Sequence, residues 1–186
     1  METVHITVED VHKELLSLNI GKSPGPDRIH PRFLKECASE LANPLSQIFN
    51  KSISTGIVPA AWKIAEITPL HKKGPKDDAS NYRPVSLLPV VSKIFERIMD
   101  KQTNEYVIKY LSDFLCGYRK DYNAQYALLV MIERWKEAWD NGKIAAGLLM
   151  DLSKAFDTIN HELLIAKLHA YGFDMTSLEI MYDYFS

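Results

Sequence analysis

The apolar run Ile144 to Met150 is the segment that most limits what this chain can become. It is short, carries no charge, follows the turn Asn141-Gly142 and ends at Asp151. Those features predict a buried strand, and the run is far too short to span a bilayer. The rest of the sequence reads as mostly helical with a few further strands. That order predicts an α+β fold rather than a regular βαβ winding.

The helical pattern begins at a recognisable start. Thr7 and Asp10 have the spacing of a capping box, and Val8, Val11, Leu15 and Leu18 then share one face, with Gly21 as the stop. KSPGPDRIHP holds three prolines and a glycine and must be a loop. Helix resumes from Arg32 to Thr55, with Phe33, Leu34, Cys37 and Leu41 on one face. Asn43-Pro44 is expected to divide it, the second part carrying Leu45, Ile48, Phe49 and Ile53 and closing at Gly56. Trp62 to Leu70 suits a strand, HKKGPKDDASN a polar loop, and Arg83 to Leu88 a second extended piece. Further helices are expected from Pro89 to Leu111, with Val90, Ile94, Ile98 and Met99 inward, and from Asn123 to Trp139. His161 to Tyr171 and Thr176 to Phe185 complete the pattern. No internal repeat or low-complexity segment interrupts it.

Composition narrows the function classes. With 22 Lys+Arg against 24 Asp+Glu the net charge is -2, so nucleic-acid binding would have to rest on locally clustered charge. A chain of 186 residues is one domain, or one domain cut short. Cys37 and Cys116 are too few for a disulfide framework or a zinc cluster, and are expected as reduced thiols. METVHITVED is acidic and lacks an apolar core, so no signal peptide is expected. The expectation is a soluble, intracellular protein with no membrane partner; nucleus and cytoplasm are not distinguished.

Several motifs fail on their own terms. Gly21-Lys22-Ser23 has the tail of a P-loop, but Leu16 stands where the first glycine belongs and a helix rather than a strand precedes it. His161-Glu162 opens a zinc motif whose second histidine position holds Ile165. Tyr182-Asp183-Tyr184 lacks an adjacent carboxylate pair, and Asp77-Asp78 lies in a Lys/Pro loop; both read as solvated surface. Trp62, Trp135 and Trp139 read as core or half-buried aromatics rather than base-stacking platforms.

GLLMDLSKAFDTINHELL is the most informative segment. Considered alone, Asp151 after a strand is ordinarily a turn or helix-capping residue. In nucleotidyl transfer, however, carboxylates at strand ends hold the two divalent metals that clamp the attacking and leaving oxygens. An aromatic such as Phe156, beside Asp157, stands where it could press on the sugar of an incoming nucleotide. Taken with KSPGPDRIHPRFLK, WKIAEITPLHKKG, NYRPVSLLPVVSKIFERIM and GYRK, the segment resembles the reverse transcriptases of non-LTR, LINE-like retrotransposons. The five blocks follow the family's order and cover the chain from Thr7 to Ser186.

The resemblance implies the fingers and partial palm of a right-hand polymerase fold, residues 1–142 being fingers-like and 143–186 the start of the palm. It implies that Asp151 binds metal with help from the backbone carbonyl of Leu152. Phe156 corresponds to the steric gate against a ribose 2′-hydroxyl, and the backbone of Ala155 lies beside the nucleotide. Lys72 or Lys73, together with Arg83, corresponds to the basic residues that grip the dNTP triphosphate. Arg offers a planar fork to phosphate and Lys a mobile point charge; without the resemblance HKKGPK reads as a solvated hairpin tip. Asp157 is expected to cap the next helix, and Gly117-Tyr118-Arg119 to be architectural. Pro24-Gly25-Pro26-Asp27 reads as a rigid turn without chemistry.

The implied cofactor is Mg²⁺ or Mn²⁺, the substrate a dNTP, and the partners an RNA template and a DNA primer. Relatives continue into a Pro-Gln-Gly turn, an Asp-Asp hairpin and a thumb, which this sequence lacks. The expectation is therefore a chain truncated before the second catalytic block, inactive alone and prone to self-association through its exposed palm strand. A non-catalytic RNA- or protein-binding module is the alternative, and an enzyme completed by a second chain a third reading.

Overall fold

The structure, a computed structural model, describes residues 4–152 and 155–186. Met1 to Thr3 of the acidic N-terminus, and Ser153-Lys154 between Asp151 and Phe156, lie outside the described residues. The chain divides into two compact units, Met1–Asn104 with His161–Ser186, and Glu105–Asn160.

The first unit is built on helices whose ends were written locally. Helix α1 (Val8–Leu16) starts on the expected box: the Asp10 N–H donates to Thr7 Oγ1 at 3.1 Å, and the Thr7 N–H to the Asp10 carboxylate at 3.2 Å. Val11, Leu15 and Leu18 are buried, whereas Val8 is exposed and the helix ends at Ser17, ahead of Gly21. Helices α2 (Pro31–Glu36) and α3 (Ala38–Thr55) part at Cys37, and Pro44 lies inside α3. The expected break at Asn43-Pro44 is thus wrong, and packing explains why. Ala38, Ala42, Leu45, Phe49 and Ile53 form one buried stripe at helical spacing. Burying each large member is worth about 1.5–3 kcal/mol, which outweighs the roughly 3 kcal/mol of an interior proline. Phe33 and Ile48, expected inward, are exposed.

At the end of α3, Gly56 has φ 65°, the left-handed conformation that satisfies the last carbonyls: its N–H donates to Ile53 O at 3.1 Å, and that of Ile57 to Ser52 O at 3.2 Å. Trp62, expected to open a strand, falls instead in the short helix α4 (Ala60–Lys63). Its ring joins Phe49 and Phe95, with centroids 5.5 Å from each. Strands β1 (Glu66–His71) and β2 (Tyr82–Leu87) form an antiparallel hairpin, with Leu70 opposite Arg83. Helix α5 (Val90–Val107) buries Val90, Ile94 and Ile98 as its pattern predicts; Phe95 is buried as well, and Met99 is only partly buried against the core.

Helices α7 (His161–Ala170) and α8 (Met175–Phe185) return to this unit, and α8 packs against α3. Tyr182-Asp183-Tyr184, expected at a solvated surface, anchors it. The Asp183 carboxylate accepts the Val58 N–H at 2.7 Å and pairs with Lys63 Nζ at 3.0 Å. Lys63 also donates to the Asp183 backbone carbonyl, and the Tyr184 hydroxyl donates to Glu96. Burial first, and then Glu96, push the Tyr184 phenol well above its usual range.

The Val58 N–H and Lys63 hold the Asp183 carboxyl below its ordinary value. The folded chain therefore binds this proton less readily than the unfolded chain. Its stabilisation is complete above the unfolded pKa, about 3.9, and disappears as pH falls through the lower folded value. The Tm difference between wild type and Asp183→Asn should hold steady down to about pH 5 and shrink progressively as the solution is made more acidic than that. A difference that survives in acid would mean that shape, not charge, carries the contact.

The second unit contains α6 (Ala124–Asp140), capped by Asn123, whose side chain accepts the Tyr126 N–H at 2.9 Å. No residue of α6 is buried, and Trp139 is exposed rather than core. The expected strand Ile144 to Met150 does not form. Residues 143–152 are neither helix nor strand, and Ile144 is 99% and Leu148 86% exposed. The physical reason lies in what a strand is: its N–H and C=O groups must pair with a neighbour. Among the described residues the hairpin β1–β2 is the only sheet, and its strands pair with each other. Apolar composition expresses a preference for burial, but does not provide the neighbour.

Candidate functional site

The basic residues of the first unit are held by an ordered hairpin rather than a loose tip. The Lys72 N–H donates to Asn81 O at 2.8 Å, carrying the ladder one step beyond His71–Tyr82. Asn81 Nδ2 donates to Pro75 O at 2.9 Å, and the Tyr82 hydroxyl to Lys76 O at 2.8 Å. The Asp78 carboxylate accepts the Ser80 N–H at 2.8 Å, and Ser80 holds that carboxyl below its usual range. Strand side chains alternate between faces. Leu70 faces Arg83 directly, so Lys72, two residues on, falls on Arg83's face and lies diagonal to it. Lys73 lies past the end of the ladder. All three cations are exposed, and none makes an ion pair among the described residues.

The residues of the acidic block belong to the second unit. Asp151 and Leu152 are exposed and follow the unpaired segment, so the expected position at a strand end is not realised. Ala155, Phe156 and Asp157 lie in a turn, where the Thr158 hydroxyl donates to Ala155 O at 3.2 Å. Phe156 is 71% exposed and meets the Tyr118 ring edge-on, with centroids 6.2 Å apart and planes at 86°. Asp157 precedes α7 by a full turn and does not cap it, since that helix opens at His161.

Tyr118 is the neighbour that sequence reasoning left without a partner. Its backbone has φ 58°, a left-handed conformation uncommon outside glycine. Arg119 donates to Ser112 O at 2.9 Å and lies over the Tyr122 ring at 4.1 Å, tying its own loop together, whereas Tyr118 is 88% exposed. The only advance signal for Tyr118 was an aromatic within a matched block. Cys37 and Cys116 are both free thiols.

The donor set for a divalent cation is partial. The Asp151 carboxylate and the Leu152 carbonyl are hard oxygens of the kind Mg²⁺ takes. Among the described residues, no three His, Cys, Asp or Glu side chains converge. One carboxylate and one carbonyl fall well short of an octahedral set, so these residues do not by themselves make a metal site.

With this geometry in hand, comparison with known proteins is specific. A family profile described as reverse transcriptase (RNA-dependent DNA polymerase) matches residues 70–185, which is more than half of the chain. The chain belongs to the reverse transcriptase family, among sequences of non-LTR retrotransposons. It is 33% identical over 165 residues to the RNA-directed DNA polymerase from mobile element jockey of Drosophila melanogaster, a match covering 87% of this chain and 18% of that protein. The probable RNA-directed DNA polymerase from transposon BS of the same organism is 30% identical over 165 residues, with the same two shares, 87% and 18%. That from transposon X-element, also of this organism, is 29% identical over 163 residues, covering 82% of this chain and 17% of the relative. The chain thus spans less than a fifth of the length of these relatives. No helix among the described residues is long and apolar enough to cross a membrane.

Proposed function

We propose that this chain is the fingers and the opening of the palm of an RNA-directed DNA polymerase, and that Lys72 and Arg83 grip the triphosphate of the incoming dNTP. The observation that carries this reading is the register of the hairpin, which puts both cations on one exposed face inside the family match. Arg83 supplies a bidentate fork for phosphate oxygens and Lys72 a mobile charge; Lys73, beyond the ladder, is the lesser contact. Asp151, with the Leu152 carbonyl, contributes one part of a metal-binding set. Phe156 is the gate against a ribose 2′-hydroxyl, and the backbone at Ala155 borders the nucleotide. RNA template and DNA primer are the macromolecular partners.

Functionally, residues 1–142 act as fingers and 143–186 begin the palm. The short span relative to its relatives supports reading the chain as a fragment, and the incomplete donor set supports its inactivity alone. The exposed apolar segment from Ile144 to Met150 drives self-association until a neighbour covers it.

The grip is tested by titrating the purified chain with sodium tripolyphosphate and following backbone amide shifts. Shifts should concentrate at residues 70–83, and Arg83→Ala should weaken binding about tenfold, as expected for losing one charged contact. Equal affinity in wild type and Arg83→Ala would remove Arg83 from the phosphate site.

A further inference from the structure

Gly25, in the loop KSPGPD, is buried against another stretch of backbone. A Cβ added there would lie 2.4 Å from the Leu88 carbonyl oxygen and 2.6 Å from both the Leu88 carbonyl carbon and Pro89 Cα. Its φ is outside the left-handed region, so close approach, not backbone conformation, demands a glycine. The obstructing atoms are all main chain, and none can swing aside. The loop is itself braced: the Arg28 N–H donates to Gly25 O at 2.9 Å, and the Ile29 N–H to the Asp27 carboxylate at 3.1 Å.

What the loop seats against is the root of the hairpin. Leu88 and Pro89 join the end of β2 to the start of α5, whose Val90, Ile94 and Ile98 are in the core. Beyond that root the ribbon has little support. Every residue from Glu66 to Leu70 is exposed, and the two strands pack extensively only on each other. A lone two-stranded ribbon is marginal in water, so its bearing is set where it leaves the body. Arg83 lies some five residues out, a lever of about 17 Å at strand rise. A methyl at position 25 must push the Leu88 backbone by roughly 1 Å to reach ordinary contact. Misplacement of that size at a binding group can cost about a hundredfold in rate.

We propose that Gly25 is a positioning residue for the triphosphate grip: its missing side chain lets the loop clamp Leu88-Pro89 and so aims Arg83 and Lys72. This rests on the assignment of those two cations to the dNTP triphosphate. Amide hydrogen exchange and sodium tripolyphosphate titration of the whole chain test it together. Gly25→Ala should speed exchange at residues 66–71 and 82–87 about tenfold, leave 38–55 in α3 unchanged, and weaken tripolyphosphate about tenfold. Gly21→Ala, exposed in the same loop and meeting only Asn19 Oδ1 at 3.3 Å, should do neither. Should Gly25→Ala fail to fold, the double variant Pro24→Ala/Pro26→Ala loosens the loop without added bulk and carries the same expectation. Hairpin exchange unchanged in the folded variant, or raised equally throughout α3, overturns the proposal. Equal tripolyphosphate affinity in wild type and Arg83→Ala overturns the grip instead, while the exchange pattern still decides whether Gly25 holds the hairpin.

Discussion

Phe156→Ala should raise ribonucleotide incorporation about tenfold to a thousandfold relative to dNTPs. The protein for this measurement is a chimera of the jockey polymerase in which the part of this chain that aligns with it, 87% of the chain, replaces the matching segment. The size of the effect follows from exclusion by bulk: a side chain that admits hydrogen and rejects a hydroxyl discriminates by a few kcal/mol at most. The structure makes the experiment clean. Phe156 is 71% exposed, and among the described residues its one ring partner is Tyr118, met edge-on. Truncating an exposed ring removes little packing, so a change in selectivity cannot be blamed on a collapsed core. Single-nucleotide incorporation with matched dNTP and rNTP reads the ratio directly. An unaltered ratio would reduce Phe156 to an exposed aromatic beside Tyr118.

Features governed by local chemistry were legible in the sequence. The Thr7–Asp10 box and the closing Gly56 each satisfy helix-end groups within a turn, and each appears where its residues predicted. The hairpin was legible too, because a polar turn between two extended runs leaves few alternatives. Three of the errors share one cause, a partner distant in sequence. Pro44 stays helical because Phe49 and its stripe find a core, and Trp62 leaves its strand to join Phe49 and Phe95. Asp183 looked solvated because Val58 and Lys63, which fix it, are more than a hundred residues away. Ile144 to Met150 erred in the opposite direction: the pattern promised a partner that the described residues do not supply.

The candidate site divides along the same line. Lys72 and Lys73 were indistinguishable by residue type, and the Leu70–Arg83 register separates them. Gly25 carried no chemistry in the sequence, because its role lies in the atoms it lacks rather than those it has, and only the backbone of Leu88-Pro89 reveals it. Asp151, Leu152, Ala155 and Phe156 rest on the family match for their roles; their exposure leaves them accessible without assigning them a task.

Primer extension on a primed RNA template, with Mg²⁺ or Mn²⁺ and all four dNTPs, tests most directly whether this chain is part of a polymerase and only part. The isolated 186-residue chain and the jockey chimera are assayed side by side, each with Asp151 and with Asp151→Asn. Phosphoryl transfer depends almost wholly on positioning and electrostatic stabilisation, which one carboxylate and one carbonyl do not organise. The isolated chain should therefore give no product. The chimera should extend the primer, and Asp151→Asn should slow it by about a hundredfold to a thousandfold, the scale of removing one preorganised electrostatic group. Template-dependent incorporation by the isolated chain that is lost in Asp151→Asn, or a chimera that extends equally fast with Asn at position 151, would contradict this account.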